Sequence, residues 1–226
     1  MIITIDGPAG SGKSTVARQL AARLGIPYLD TGAMYRAIAL KAATAGIDLR
    51  DDAAMVALAE AADVRLDCGP TQTRVLLDGQ DVSEAIRTME VSAATGFVAT
   101  NQAIRQILIQ KQRTIAVQLG SVVTEGRDQG SVVFPEADVR FLLEASVEKR
   151  AERRHAEITT DGKAVDLNRV IADLNDRDDR DSVQWAPLLQ SGNAVRVDTS
   201  DMTLDEVVQR LYDEVERRGR RSVEPS

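Results

Sequence analysis

The chain has one cysteine, one histidine and one tryptophan in 226 residues, and aromatic side chains make up only 3%. A lone Cys68 excludes an internal disulfide framework and a multi-cysteine zinc site. A lone His155 excludes the histidine-rich metal centres, and so few rings leave little for stacking exposed bases. Positive charge is also in short supply, with 28 Lys and Arg against 35 Asp and Glu, a net charge of -7. That balance argues against a nucleic-acid polymer as partner, while local arginine clusters can still bind small anions. No run of 18 apolar residues occurs, so no membrane partner is expected. The start, Met1 to Asp6, lacks the basic and apolar regions of a signal peptide and reads as a mature cytoplasmic protein.

What is present is ordinary globular material: 43% apolar and 28% charged residues, enough for one domain with a small insert. Ile2 to Ile5 reads as a buried strand, followed by a glycine-rich stretch and a helix patterned by Val16, Leu20 and Leu24 up to Gly25. Tyr28 and Leu29 give a second strand, and Asp30-Thr31-Gly32 opens a helix carrying Tyr35, Ile38 and Ala39. From about 46 to 105 the pattern changes. Val64 to Leu66 and Arg74 to Leu77 alternate, and Asp78-Gly79 is a tight-turn signal, so this segment is expected to be a small antiparallel insert. Helical spacing returns with Ile104, Ile107, Leu108 and Ile115. Strands follow at Ser121 to Thr124 and Val139 to Leu143. A basic helix sets Arg150, Arg153 and Arg154 on one face. The next helix carries Leu167, Val170, Ile171 and Leu174 and is expected to end in a charged cluster. Val195 to Val197 is the last strand, Leu204 to Val215 the last helix, and the tail after Arg217 is expected to fray. Strands alternating with helices imply an α/β fold with a mostly parallel sheet, whose ligands lie beyond the strands' carboxyl ends. The expected organisation is a core of 1–45 and 106–226 with a helical lid at about 148–165, and an insert of 46–105.

Gly7-Pro8-Ala9-Gly10-Ser11-Gly12-Lys13-Ser14 satisfies the phosphate-loop pattern in full, and Thr15 follows it. Glycines let backbone N–H groups curl around phosphate oxygens, the helix start adds positive potential, and Lys13 brings a full charge. Ser14 is the candidate Mg²⁺ ligand. No Asn-Lys pair is present to read guanine and no transporter-ATPase signature occurs, which favours a small-molecule kinase using ATP.

Further residues resemble a known family, the bacterial cytidylate (CMP) kinases among the nucleoside monophosphate kinases. The resemblance rests on Ile5-Asp6-Gly7-Pro8, Leu29 to Arg36, Ile86-Arg87-Thr88, Gly126-Arg127-Asp128-Gln129-Gly130 running on to Pro135, and Arg177 to Asp181. It implies a phosphate-loop core, a parallel sheet flanked by helices, with a small mixed α/β monophosphate-binding insert and a helical lid. It also implies transfer of phosphate from ATP to CMP or dCMP. Asp128 and Arg105 would read cytosine, the carboxylate accepting from N4 and the guanidinium donating to the acceptors. Arg36, Arg127 and Arg177 would hold the acceptor phosphate, with Thr31 and Tyr35 nearby and Asp181 on the ribose. Lys13, Arg127 and Arg177 would be catalytic, and Arg150, Arg153 and Arg154 would belong to the lid.

Two departures stand out. A serine of the family pattern falls on Gly96, beside Thr95, and a phosphate-binding arginine after Asp181 is replaced by Gln184. Losing one charge-assisted contact costs roughly 1.5 to 3 kcal/mol, so weaker monophosphate binding than in the family is expected. No protein base is needed, because the acceptor oxygen is already anionic. His155 therefore reads as an exposed helix residue, and Cys68 and Trp185 as packing residues. A kinase for another acceptor such as UMP or AMP, and a nucleotide-dependent switch with little turnover, are the competing readings. Nothing demands more than a monomer.

Overall fold

The structure is a computed structural model that describes residues 1–160, 165–190 and 192–221; the side chains of Glu157, Thr160, residues 180–190 and residues 220–221 lie outside the description. Along the chain come β1 (Ile2–Asp6), α1 (Lys13–Leu24), β2 (Tyr28–Asp30), α2 (Thr31–Ala45), α3 (Asp52–Ala61), β3 (Val64–Cys68), β4 (Thr73–Leu77) and β5 (Gln80–Asp81). They continue with α4 (Met89–Thr100), α5 (Gln102–Leu119), β6 (Val122–Gly126), β7 (Val139–Glu144), α6 (Val147–Thr160), α7 (Leu167–Gln190), β8 (Val195–Asp198) and α8 (Leu204–Arg221). A 3-10 turn at Ala85–Arg87 precedes α4, and a π-turn at Gln129–Val133 follows β6. The chain divides into two compact units, Met1–Gly25 with Val123–Ser226, and Ile26–Val122.

In the first unit the strands stand in the order β6-β1-β7-β8. β1, β7 and β8 are parallel, with Ile5 opposite Phe141 and Leu142 opposite Arg196. Ile3, Ile5, Phe141 and Leu143 are fully buried, as expected of a parallel sheet covered on both faces. Helix α1 ends where Gly25 takes the left-handed conformation and returns its N–H to Ala21 and Ala22. Two expectations need correcting here. The helix that starts at Leu167 does not stop at the charged cluster; α7 continues through it to Gln190. Asp178, inside that cluster, is held by a buried arginine of α6, so the charged run is helix surface with a partner rather than a terminator. The tail after Arg217 stays helical to Arg221, with Glu214 accepting from both Arg217 and Arg218 one turn on.

The second unit is built on α2. Its buried face, Ala33, Met34, Ala37, Ile38 and Ala42, meets Met55 and Leu58 of α3, Val64, Val75 and Leu77 of the hairpin, and Ile86, Val91, Val98, Ile104 and Leu108. The antiparallel hairpin pairs β3 with β4 in the register Leu66 opposite Val75, and Asp78-Gly79 turns the chain from β4 into β5. Asp78 and Gly79 both have positive φ, 51° and 82°, the geometry that an Asp-Gly turn favours. Helices α3 and α4 are the helical part of a mixed α/β insert, at positions that the sequence pattern does not mark. Both are capped from the sequence, α3 by Asp51 accepting from Ala54 N–H and α4 by Thr88 accepting from Val91 N–H. The compact unit is wider than 46–105, because α2 and α5 supply much of the core on which the hairpin rests.

Candidate functional site

The phosphate loop leaves β1 at Gly7 and enters α1 at Lys13. A side chain at Gly7 could not exist: its Cβ would lie 2.2 Å from the Leu143 carbonyl oxygen, and φ is +147°. Gly12, left-handed at φ 84°, serves as the helix cap without a side-chain hydrogen bond. The Pro8 carbonyl gathers the loop, accepting from Ser11 Oγ at 3.0 Å and from Lys13 Nζ at 2.7 Å. Lys13 is only 5% exposed, so its ammonium is held against the loop rather than left to wave in solvent. Ser14 Oγ donates to Glu125 Oε1 at 2.9 Å, joining the start of α1 to the end of β6.

Past Glu125 the chain makes the turn that contains Arg127 and Asp128. Arg127 is half-buried and Asp128 is 5% exposed. The turn is braced from inside. Gln129 Oε1 accepts from Thr124 Oγ1 at 2.9 Å, and the N–H groups of Gln129 and Gly130 donate to the two oxygens of Asp6 at 2.8 and 2.7 Å. Asp6 is fully buried at the end of β1, and burial pushes its carboxyl up to about 7, with the Asp128 charge adding to the rise. The two backbone donors and the Lys13 charge pull the other way.

A third group of polar contacts surrounds α6. Arg150, 4% exposed, donates to Ala9 O in the phosphate loop, to Ala145 O, and with both terminal nitrogens to the Asp178 carboxylate of α7. Arg153 donates to Thr199. Arg154 and Arg177 are exposed side chains. In the second unit Asp30 caps α2 through Ala33 N–H at 3.0 Å and accepts a longer contact, 3.4 Å, from Arg87. This ties Leu29-Asp30-Thr31 to Ile86-Arg87-Thr88 and places buried Thr31 and half-buried Tyr35 and Arg36 along the first turns of α2.

The sequence profile described as cytidylate kinase matches residues 3–217. The chain belongs to the cytidylate kinase family. A cytidylate kinase from Desulforamulus reducens is 47% identical over 216 residues, covering 95% of this chain and 96% of its own length. One from Caldanaerobacter subterraneus is 45% identical over 95% of this chain and 94% of its own, and one from Rhodococcus opacus 43% identical over 93% of both chains. Among solved structures, a shikimate kinase from Bacteroides thetaiotaomicron matches at TM-score 0.50 and 11% identity, covering 96% of this chain and 98% of that one. An uncharacterized protein from Eubacterium ventriosum matches at 0.54 and 13%, covering 96% and 98%. At those identities the likeness is one of fold alone, a parallel α/β sheet with flanking helices. Membership in this family makes the chain a kinase, a phosphotransferase that uses nucleotides.

Against that family background, the structure brings Gly7 to Thr15, Arg127, Asp128, Arg150, Arg153, Arg154 and Arg177 into one compact unit, and Thr31, Tyr35, Arg36, Gly96 and Arg105 into the other. Gly96 is exposed and a Cβ there would meet nothing within 4 Å, so the serine of the family pattern is missing from open space, not crowded out. Arg105 is half-buried and donates to Ala99 O at 3.4 Å. Asp181, Gln184 and Trp185 lie outside the described side chains. His155 is not exposed: it is half-buried, with Nε2 3.0 Å from Val165 O, because α6 and the chain before α7 close over it. Among the described residues no cluster of three or more His, Cys, Asp or Glu could hold a metal, and no helix is long and apolar enough to cross a membrane. Sequence reasoning assigned no role to Glu125, Asp6 or Asp178. The signal for the first two was their position at the carboxyl ends of strands; the partner of Asp178 is 28 residues away and had no local signature.

Proposed function

We propose that this chain transfers the γ-phosphoryl group of ATP to CMP and dCMP, in the cytoplasm. The observation that carries the reading is the joint construction of donor and acceptor elements in one unit. The Lys13 loop and the Arg127-Asp128 turn both grow from β1 and β6 and share Glu125 and Asp6 as braces. An oxygen of the acceptor phosphate attacks the γ-phosphorus in line as the bond to the β,γ-bridging oxygen breaks, releasing ADP and a nucleoside diphosphate. The attacking oxygen is already anionic, so the protein's work is positioning and charge neutralisation. Lys13 supplies charge toward the donor phosphates, and Arg36, Arg127 and Arg177 toward the acceptor phosphate.

Asp128 reads the N4 amino group of cytosine and Arg105 its acceptors. Uracil reverses that polarity and leaves the carboxylate facing an oxygen, which a buried site rejects strongly. Residues 46–105 serve the monophosphate and 148–165 close over the donor. Ser14 Oγ and the Glu125 carboxylate, hard oxygens 2.9 Å apart at the loop, fit Mg²⁺, which takes few protein oxygens and completes its shell with phosphate and water. Bound there it supplies charge neutralisation at the donor phosphates.

The test is ADP formation from Mg-ATP with CMP, dCMP, UMP, AMP or no acceptor, with Lys13→Ala as control. Turnover confined to the cytidine acceptors is expected. Equal turnover with CMP and UMP would remove the role given to Asp128, and acceptor-independent hydrolysis alone would favour a nucleotide switch.

A further inference from the structure

Asp6 has no role in the chemistry above, yet a fully buried carboxylate needs one. It stands at the last position of β1, one residue before the phosphate loop, and both of its oxygens are spent on the same short turn. The two donors are the consecutive peptide N–H groups of Gln129 and Gly130, directly after Asp128. One flat carboxylate therefore fixes two successive peptide planes. The turn is closed from the other side by packing that admits no side chain at Gly130: a Cβ there would lie 2.8 Å from Thr4 Oγ1 and 3.2 Å from the Arg140 stem. Gly126 is restricted likewise by Gln129 Cγ at 2.8 Å.

We propose that Asp6 is a positioning residue for acceptor recognition, its two carboxylate oxygens fixing the Gln129 and Gly130 peptides and with them the attitude in which Arg127 and Asp128 meet the monophosphate. This rests on the reading of Asp128 as the group that reads cytosine. It adds a physical link between donor and acceptor recognition, since the residue that orients the acceptor turn is covalently joined to Gly7.

The link is sensitive to protonation. An ionised Asp6 accepts from both N–H groups, whereas a protonated one presents an O–H toward one of two donors and loses a bond. Burial and the Asp128 charge favour protonation, the two N–H groups and Lys13 of α1 oppose it, and the balance lies at about 7. The flanking strands bring further charge in Glu125 at the end of β6 and in Arg140 and Glu144 of β7. Acceptor binding accordingly weakens as pH falls through neutrality, and this holds for Asp6 in the same direction whether the acceptor is CMP or dCMP.

The experiment measures KM for CMP and for ATP, and kcat, between pH 5.5 and 9 in the wild type and in Asp6→Asn. An amide keeps the shape but offers one acceptor where two are needed. The expected result is a KM for CMP raised about tenfold or more at pH 8, as for loss of a charge-assisted hydrogen bond, with KM for ATP changed less than about threefold. The wild-type rise in CMP KM below pH 7 should be absent in the variant; CMP's own titration is common to both and cancels. Equal changes in both KM values, or a pH limb that persists in Asp6→Asn, would overturn the proposal.

Should Asp6→Asn fail to fold, amide exchange on the wild type without nucleotide decides. Protection of the Gln129 and Gly130 N–H groups must fall relative to neighbouring β1 and β6 amides as pH drops through 7, and constant relative protection overturns the tether. Failure of the Asp128 reading is seen separately, as an Asp128→Asn enzyme that keeps its preference for CMP over UMP.

Discussion

The two compact units handle polarity in opposite ways. Of the charged side chains buried among the described residues, Asp6, Lys13, Glu125, Asp128 and Arg150 lie in the unit that carries the phosphate loop, and Asp30 alone in the other. The second unit instead closes on a continuous apolar cluster running from Ala33 to Leu108. Burying a charge is costly unless it is paired and hydrogen-bonded, and in the first unit Asp6, Lys13, Glu125 and Arg150 each hydrogen-bond at the loop, the turn or the α6–α7 pair. Buried charge thus gathers around the phosphate loop, while the second unit gains its rigidity from apolar side chains. Mutations should separate the two, with activity lost at the first without instability and stability lost at the second without direct loss of chemistry.

The largest expected effect is on rate. Lys13→Ala removes the positive charge that the proposed function sets against the transferring phosphoryl group, and kcat should fall about a thousandfold, ~4 kcal/mol of transition-state stabilisation. The melting temperature should move by only a few degrees, because the ammonium donates to the loop's own Pro8 carbonyl. A collapse of the melting temperature in parallel with the rate would break the separation. The mirror experiment is Met55→Ala on α3, a helix without candidate site residues. Met55 is 1% exposed in the apolar cluster, and truncation should cost about 2–5 kcal/mol in urea unfolding. Under conditions where the variant is folded, turnover per folded molecule with saturating CMP should stay close to that of the parent.

How much of this division is visible in the sequence depends on whether a residue's partner is local. The strand, loop and first helix are written in Ile2 to Leu24, and Asp78-Gly79 declares its turn, since each signal is complete within a few residues. Helix α3 hides because its buried positions are only Met55, Leu58 and Ala59, in a segment that is apolar nearly all round; its cap at Asp51 is the better signal. The charged run around Arg177 reads as a helix end when taken alone and becomes mid-helix once Arg150 is known to bind Asp178. Glu125 and Asp6 carry no motif of their own. Only strand order, which pairs β6 with β1's other edge and sets their carboxyl ends side by side, makes them neighbours of Ser14 and of Gln129.

Arg150→Ala asks whether the buried charge of the first unit also stabilises it. The substitution leaves the Asp178 carboxylate, about a quarter exposed, without its partner, and also frees the Ala9 carbonyl. Removing one member of a buried pair costs up to 3–5 kcal/mol, and the access of water to Asp178 places this one nearer 2 kcal/mol. Because Arg150 also braces the phosphate loop, KM for ATP should rise in the same variant while KM for CMP follows less. Double substitution with Asp178→Ala should recover part of the stability and none of the ATP affinity, which tells the pair apart from the loop contact.

The smallest effect belongs to a pair with the same chemistry and the opposite environment. Arg196 on β8 meets Glu144 on β7 through two hydrogen bonds of 2.9 Å, from Nε and Nη2, a forked pairing like that which Arg150 makes to Asp178 through its two terminal nitrogens, but Arg196 is 64% exposed. The carboxylate holds the guanidinium's pKa above its ordinary value, yet water and salt screen an attraction at the surface, and ordering two long side chains offsets most of what remains. Arg196→Ala should therefore leave the urea midpoint and the kinetic constants within error, and the wild-type midpoint should not fall between 0.1 and 1 M NaCl by any amount that Arg196→Ala abolishes. If instead Arg196→Ala destabilised as much as Arg150→Ala, the forked geometry and not burial would be the source of the stability. The contrast between the two units would then lose its physical basis, because a polar surface could hold the fold as well as an apolar core.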